Sequence, residues 1–261
     1  MSWWGKIAGG AFGFMLGGPI GAALGAVLGH QFDKGIGSAV RISLNDQERV
    51  QAAFFTAAFS VMGYIAKADG RVSASEIALA ERVMAQMRLN PAQRRAAIEL
   101  FNQGKSEGFA VDPVLDQLRE VSHHNRNLLR MFLEIQIQAA LADGVVDEAE
   151  HRALLRIANR LGFDENQIRH ILDMLRSGGP GAPGRTRPSL DDAYRTLGLE
   201  PGTGFDEVKK AYRRLMNQHH PDKLVSKGLP EEMIAVATEK TQKIKAAYEQ
   251  IKEARPRRTL H

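Results

Sequence analysis

Phe205-Asp-Glu-Val208-Lys209-Lys210-Ala211-Tyr212-Arg213-Arg214-Leu215-Met-Asn-Gln-His-His220-Pro221-Asp222-Lys223 is the stretch that decides how the C-terminal part of this chain folds. Val208, Ala211, Tyr212 and Leu215 recur at i, i+3, i+4 and i+7, which is the spacing of one helix face. Lys209, Lys210, Arg213 and Arg214 fall on the other face. Pro221 has no amide donor and pushes His220 out of the α region, so a helix over 205–219 must end there. A loop through Gly228 is expected next, with Pro230 placed to open another helix. Ile234, Ala237, Thr241, Ile244, Tyr248 and Ile251 continue at 3–4 spacing. That face can pack on the 205–219 helix, giving a helical hairpin with His220, Pro221 and Asp222 at its tip.

Upstream, Ser189-Leu-Asp-Asp192 and Thr203-Gly-Phe-Asp206 both have capping-box spacing, so each predicts a helix start. The first helix is short: Ala193, Tyr194 and Leu197 line it, and Gly198 stops it. The ordered set Asp192-Ala-Tyr194-Arg-Thr-Leu197-Gly198, Val208 to Leu215, His220-Pro221-Asp222-Lys223 and Ile244-Lys-Ala-Ala-Tyr248-Glu resembles the J domain of DnaJ-type (Hsp40) proteins. The resemblance implies a non-enzymatic module that docks on an Hsp70 partner in its ATP state. It implies binding through His220, Pro221, Asp222 and Lys223 together with Lys209, Lys210, Arg213 and Arg214. Asp222 would pair with a cation of the ATPase domain and bias the partner towards hydrolysis. Nothing beside His220 in sequence supplies a nucleophile, so no catalytic residue and no cofactor are expected. The glycine/phenylalanine-rich segment, Cys-rich zinc module and β-rich client-binding part of full-length DnaJ have no counterpart in the sequence.

Before the J-like region, Ser177-Gly-Gly-Pro-Gly-Ala-Pro-Gly-Arg-Thr-Arg-Pro188 reads as a flexible Gly/Pro linker. The region from about 31 to 176 reads as all helix, with stripes such as Ile77, Ala80, Val83, Met84 and Met87, and no period-2 alternation. It holds a repeated frame: Ala66-Lys-Ala-Asp69-Gly70-Arg-Val72-Ser73-Ala-Ser-Glu76 and Ala140-Leu-Ala-Asp143-Gly144-Val-Val146-Asp147-Glu-Ala-Glu150. Ser73 with Glu76, and Asp147 with Glu150, form capping-box pairs, and Asp-Gly is a turn signal. The other reading is a hard-cation site, because carboxylates recur at Asp69, Glu76, Asp143 and Glu150. The paired frames resemble the TerB-like helical domain, some members of which are thought to bind metal through acidic residues. His123 and His124, beside Asn125 and Asn127, read as a solvated helix junction.

Residues 7–29 carry no charged side chain, and as a helix they would be about 35 Å long, enough to cross a bilayer core of about 30 Å. Glycines stand at 9, 13, 17, 21, 25 and 29. Residues four apart share a helix face, so Gly9, Gly13, Gly17, Gly21, Gly25 and Gly29 form a smooth stripe suited to close helix–helix approach in lipid. A transmembrane helix over 7–30 with a dimerisation face follows, preceded by a short N-terminus. A cleaved signal peptide and a glycine-rich buried helix are the competing readings. Lys34, Arg41 and Arg49 after the span, against Lys6 before it, favour a periplasmic N-terminus and a cytoplasmic C-terminus.

The 261 residues have a formal net charge of +5 and no cysteine. Disulfides, thiolate zinc sites and cysteine nucleophiles are thereby excluded. A basic balance alone suits acidic proteins, nucleic acid or anionic lipid. Sparse aromatics and the lack of a base-reading motif argue against nucleic acid, even with the basic tail after Pro256.

The fold class read from all this is all-α: a single transmembrane helix, a helical TerB-like domain, the linker, and a J-domain hairpin over 189–256. That order resembles the membrane-anchored DnaJ-like co-chaperones of bacteria. The resemblance implies a dimeric inner-membrane protein that acts with DnaK and is linked to envelope and capsule signalling. The alternative is a cation-binding or scaffold TerB-like membrane protein with the J domain accessory.

Overall fold

The computed structural model describes residues 46–68, 89–141, 146–177 and 189–254, and part of 78–87. The span at 7–30 with its glycine stripe, the linker residues 178–188, the tail after 254, and Asp69, Glu76 and Asp143 lie outside the described residues. Among the described residues the secondary structure is entirely helical, and no helix is long and apolar enough to cross a membrane.

Among the described residues the middle region contains α1 (Asp46–Ala66), α2 (Pro91–Gly104), α3 (Val111–Val121), α4 (Arg126–Ala140), α5 (Glu148–Arg160) and α6 (Glu165–Ser177), with further helical residues between 78 and 85. Helix α1 is the axis of this unit. Phe54, Ala57, Ala58, Phe59 and Val61 are all fully buried, and α2, α3, α4 and α5 pack around it. Helix α4 is nearly as apolar, with Leu128, Phe132, Leu133 and Ile137 buried. The ring of Phe132 meets Phe54 edge-on at 5.6 Å between centroids, a favoured aromatic geometry.

Local signals set the ends. Asn90 caps α2 and Asp147 caps α5, each in a reciprocal capping box, with Gln93 and with Glu150. The junction of α3 and α4 turns through His123 and His124, exposed side chains with φ of 50° and 56°. On the surface Arg156 of α5 donates to both Asp112 carboxylate oxygens of α3 at 3.0 and 2.9 Å, and Arg160 makes the same fork with Asp116.

The C-terminal unit comprises α7 (Leu190–Thr196), α8 (Phe205–His219), α9 (Pro221–Val225), a 3₁₀ turn (Glu231–Met233) and α10 (Ile234–Glu253). Ser189 and Asp192 close the expected capping box. Thr203 does not cap α8: Gly204 is the N-cap without a side-chain bond, and the Thr203 hydroxyl donates to the Glu200 carbonyl at 2.6 Å. Ala193, Leu197, Val208, Ala211, Leu215, Ile244, Ala247 and Ile251 form a core of their own. Tyr212 stacks on Tyr248 at 4.3 Å beside it. The loop read after Pro221 is instead a short helix, because proline at the first helical position loses no hydrogen bond there. The helix read from Pro230 begins with the 3₁₀ turn and becomes α-helical at Ile234.

Candidate functional site

The hairpin of α8 and α10 carries the residues singled out in the sequence. His220 is the last residue of α8's cap and the first of α9's, with φ −60° and ψ 122°. This extended residue turns the chain, so Pro221 and Asp222 begin a new helix at the tip. The Asp222 carboxylate is 91% exposed, and the His220 side chain is 44% exposed. Their closest approach, His220 Nδ1 to Asp222 Oδ2, is 4.0 Å. Lys223 Nζ donates to Asn217 Oδ1, tying α9 back to α8.

The four basic residues of α8 divide into two kinds. Lys209 Nζ lies 3.3 Å from Asp206 Oδ1 and 5.0 Å from the Phe205 ring centre. Lys210 Nζ donates to Glu207 Oε1 at 2.7 Å, and that bond raises the lysine pKa. Arg213 and Arg214, one turn nearer the tip, are exposed and have no ion pair among the described residues. The unit therefore presents an exposed carboxylate at its tip and, on α8, two exposed guanidinium groups without an ion pair among the described residues.

Behind the tip the surroundings change. His219, next to His220, is 1% exposed, and its ring faces the middle unit. Glu134 of α4 is 4% exposed. Its Oε1 accepts from Arg130 Nε at 3.0 Å. Its Oε2 lies 3.3 Å from Lys240 Nζ of α10 and 3.6 Å from His219 Nδ1. Burial alone would raise the Glu134 pKa, but the charges of Lys240, His219 and Arg130 outweigh it and hold the group at about 2. Burial pushes His219 down to about 4, so its ring is neutral at pH 7 and Lys240 and Arg130 are the cations facing Glu134.

Sequence reading missed this cluster. Its one signal was a charged residue inside the apolar run Met131-Phe-Leu-Glu134-Ile-Gln-Ile137. Of the carboxylates read as a possible cation site, Glu150 is described, and it closes its capping box on the Asp147 amide at 2.9 Å. Among the described residues no group of three or more acidic or histidine side chains could hold a metal ion.

Family models match three consecutive stretches of the chain. The model described as the co-chaperone DjlA transmembrane domain covers residues 1–41, tellurite resistance protein TerB covers 55–173, and the DnaJ domain covers 192–260. Co-chaperone protein DjlA of Photobacterium profundum is 44% identical over 271 residues, spanning 95% of this chain and 98% of that protein. The DjlA of Coxiella burnetii is 45% identical over 267 residues, spanning 98% and 99%. The DjlA of Escherichia coli K12 is 41% identical over 267 residues, spanning 97% and 98%. No solved structure matches. With near full-length identity to these relatives and the DnaJ match falling on the α7–α10 unit, the chain belongs to the DjlA family of J-domain co-chaperones.

Proposed function

We propose that the chain is a regulatory co-chaperone that stimulates the ATPase of DnaK, an Hsp70, at the cytoplasmic face of the inner membrane. One observation carries the reading: the His220-Pro221-Asp222 tip is presented with its carboxylate in solvent, at the end of a helix that also exposes Arg213 and Arg214. An exposed carboxylate and exposed guanidinium groups on one hairpin suit a partner surface with the opposite pattern, and such complementarity raises encounter rate and specificity. Asp222 would engage a cation of the ATPase domain. Lys209, Lys210, Arg213 and Arg214 would meet an acidic patch, with Lys223 and Pro221 holding the tip in shape.

The match to a transmembrane domain over 1–41 supports an anchor in the bilayer, with residues 7–30 as the span and Gly9 to Gly29 as its homodimer face. A tip that needs an ATP-bound partner requires the C-terminus in the cytoplasm. Anchoring would restrict DnaK activity to the membrane, which fits a role in envelope or capsule signalling.

Asp222→Asn keeps the size of the side chain and removes its charge from an exposed site, so the fold should be unchanged. Stimulation of steady-state ATP hydrolysis by DnaK should be lost. Unchanged stimulation would sink the mechanism.

A further inference from the structure

We infer that the middle unit is a docking surface for the J domain of the same chain, and that the docked arrangement, latched at Glu134, restrains the tip from engaging its Hsp70 partner. The inference rests on the proposed co-chaperone reading for its consequence, though not for the docking itself.

The seam between the two units is built like a core. Leu224, Leu229, Met233 and Ala237 of the J domain are buried in the same apolar cluster as Val50, Phe54, Leu128 and Leu133. Gly228, with φ of +96°, lies so close to α1 that a Cβ there would stand 2.3 Å from Val50 Cγ1. Gln47 Nε2 donates to the Val225 carbonyl at 3.4 Å across the same seam. Beside these contacts lies Glu134, with Lys240 and His219 reaching it from the J domain and Arg130 from its own helix.

A carboxylate buried without cations is strongly unfavourable. Undocking removes Lys240 and opens the site to water, so the Glu134–Lys240 pair exists only while the J domain is seated, and loss of that cation in the seated state leaves Glu134 with Arg130 alone. Buried ion pairs add little net stability but specify a position, which is what a releasable latch requires. The J domain also has a core of its own, formed by Val208, Leu215, Ile244 and Ile251 away from the seam.

Docking leaves Asp222 exposed but encloses its flanks. His219 lies just before the tripeptide and Leu224 just after it, and both are buried against the middle unit. A specific protein interface takes about 800 Å² and roughly 20–30 residues from each partner. The middle unit covers only this inner flank, while Arg213, Arg214, Asp222 and Lys223 stay exposed, so a partner whose footprint wraps onto the inner flank must displace the middle unit.

The test uses the full chain in nanodiscs. Because the chain has no cysteine, Gln47→Cys and Val225→Cys can be joined by a short bismaleimide without side reactions. The pair should crosslink within one chain in high yield, and the yield should drop when Glu134→Gln is added. Without the cysteine pair, Glu134→Gln should raise DnaK stimulation at sub-saturating chain by about fivefold or more. Lys240→Gln, from the J-domain side, should do the same, and it carries the test if Glu134→Gln lowers helicity by circular dichroism. Absence of the crosslink overturns the docking. A normal crosslink with stimulation equal or lower in both latch variants overturns the restraint. If Asp222→Asn stimulates like the unmodified chain, the co-chaperone reading fails, while the crosslink still reports on the docking by itself.

Discussion

His219 and His220 are the same side chain in adjacent positions with opposite surroundings. His220 reaches solvent; His219 is sealed between α8, α4 and α10. The groups facing His219 are Glu134 and Arg130 of α4 and Lys240 of α10, with His170 of α6 close to Arg130 and Glu134. His170 is itself pushed down, first by burial and then by Arg130 and Arg214. Seated, His219 titrates at about 4; released, it returns to its ordinary 6.5. The released state then binds more protons between those values, so docking is at full strength above pH 6.5 and weakens as pH falls to about 4. Glu134, held at about 2 in part by Lys240 and His219, loses that part of its shift on release and adds a loss of the same sign at lower pH. Energy transfer between dyes on Gln47→Cys and Val225→Cys should be flat above pH 6.5 and fall below it. His219→Gln should flatten the upper part of that curve.

At this scale the sequence is readable only when partners are local. Asp147 and Glu150, or Ser189 and Asp192, lie three residues apart, and their boxes follow from spacing. Asp147→Ala should lower stability by about 1 kcal/mol, seen as a lower denaturant midpoint with unchanged slope. Thr203 had the right spacing, but its hydroxyl bonds back to the Glu200 carbonyl and Gly204 takes the cap without a side-chain bond. Glu134, His219 and Lys240 meet only through tertiary structure, so no spacing rule could join them.

Helices α1 and α2 cross at two glycines. A Cβ on Gly63 would stand 2.0 Å from the Phe101 carbonyl oxygen, and one on Gly104 would stand 1.8 Å from that of Ser60. Both neighbours are backbone, which cannot swing aside. Gly63→Ala and Gly104→Ala must therefore push the helices apart, at a cost of about 1–3 kcal/mol or more each, readable as a fall in melting temperature. The periodic stripes predicted these helices, but the close crossing needs the three-dimensional pairing. On α8 the basic face divides by pairing. Lys209 and Lys210 are partly neutralised by Asp206 and Glu207, while Arg213 and Arg214 are not. Replacing both arginines by alanine should slow association with DnaK more than replacing both lysines, and the gap should narrow as salt rises. Stopped-flow association at several ionic strengths checks this.

The whole chain joins an anchor, a helical unit and a J domain in the order given by the family matches. The J-like motif was legible because its specificity lies in an ordered set of short patterns. The union of its tip with the middle unit was not, since the Gly/Pro-rich stretch between them suggests independence. For the anchor, Gly13, Gly17 and Gly21 replaced by leucine should weaken self-association in a membrane reporter assay by filling the stripe.

The seam at Gly228 and Val50 bears on how this architecture can be rearranged. The junction visible in the sequence falls near the linker, yet in space Leu224, Leu229 and Met233 belong to the other side of it. A chimera that exchanges the J domain for a foreign one at the linker therefore brings an unmatched tip to α1. A graft that keeps 224–237 native, or that redesigns Val50 with the incoming segment, preserves the fit. The exchangeable part is thus the α7–α8 and distal α10 body, and the tip's inner face has to be designed together with the middle unit.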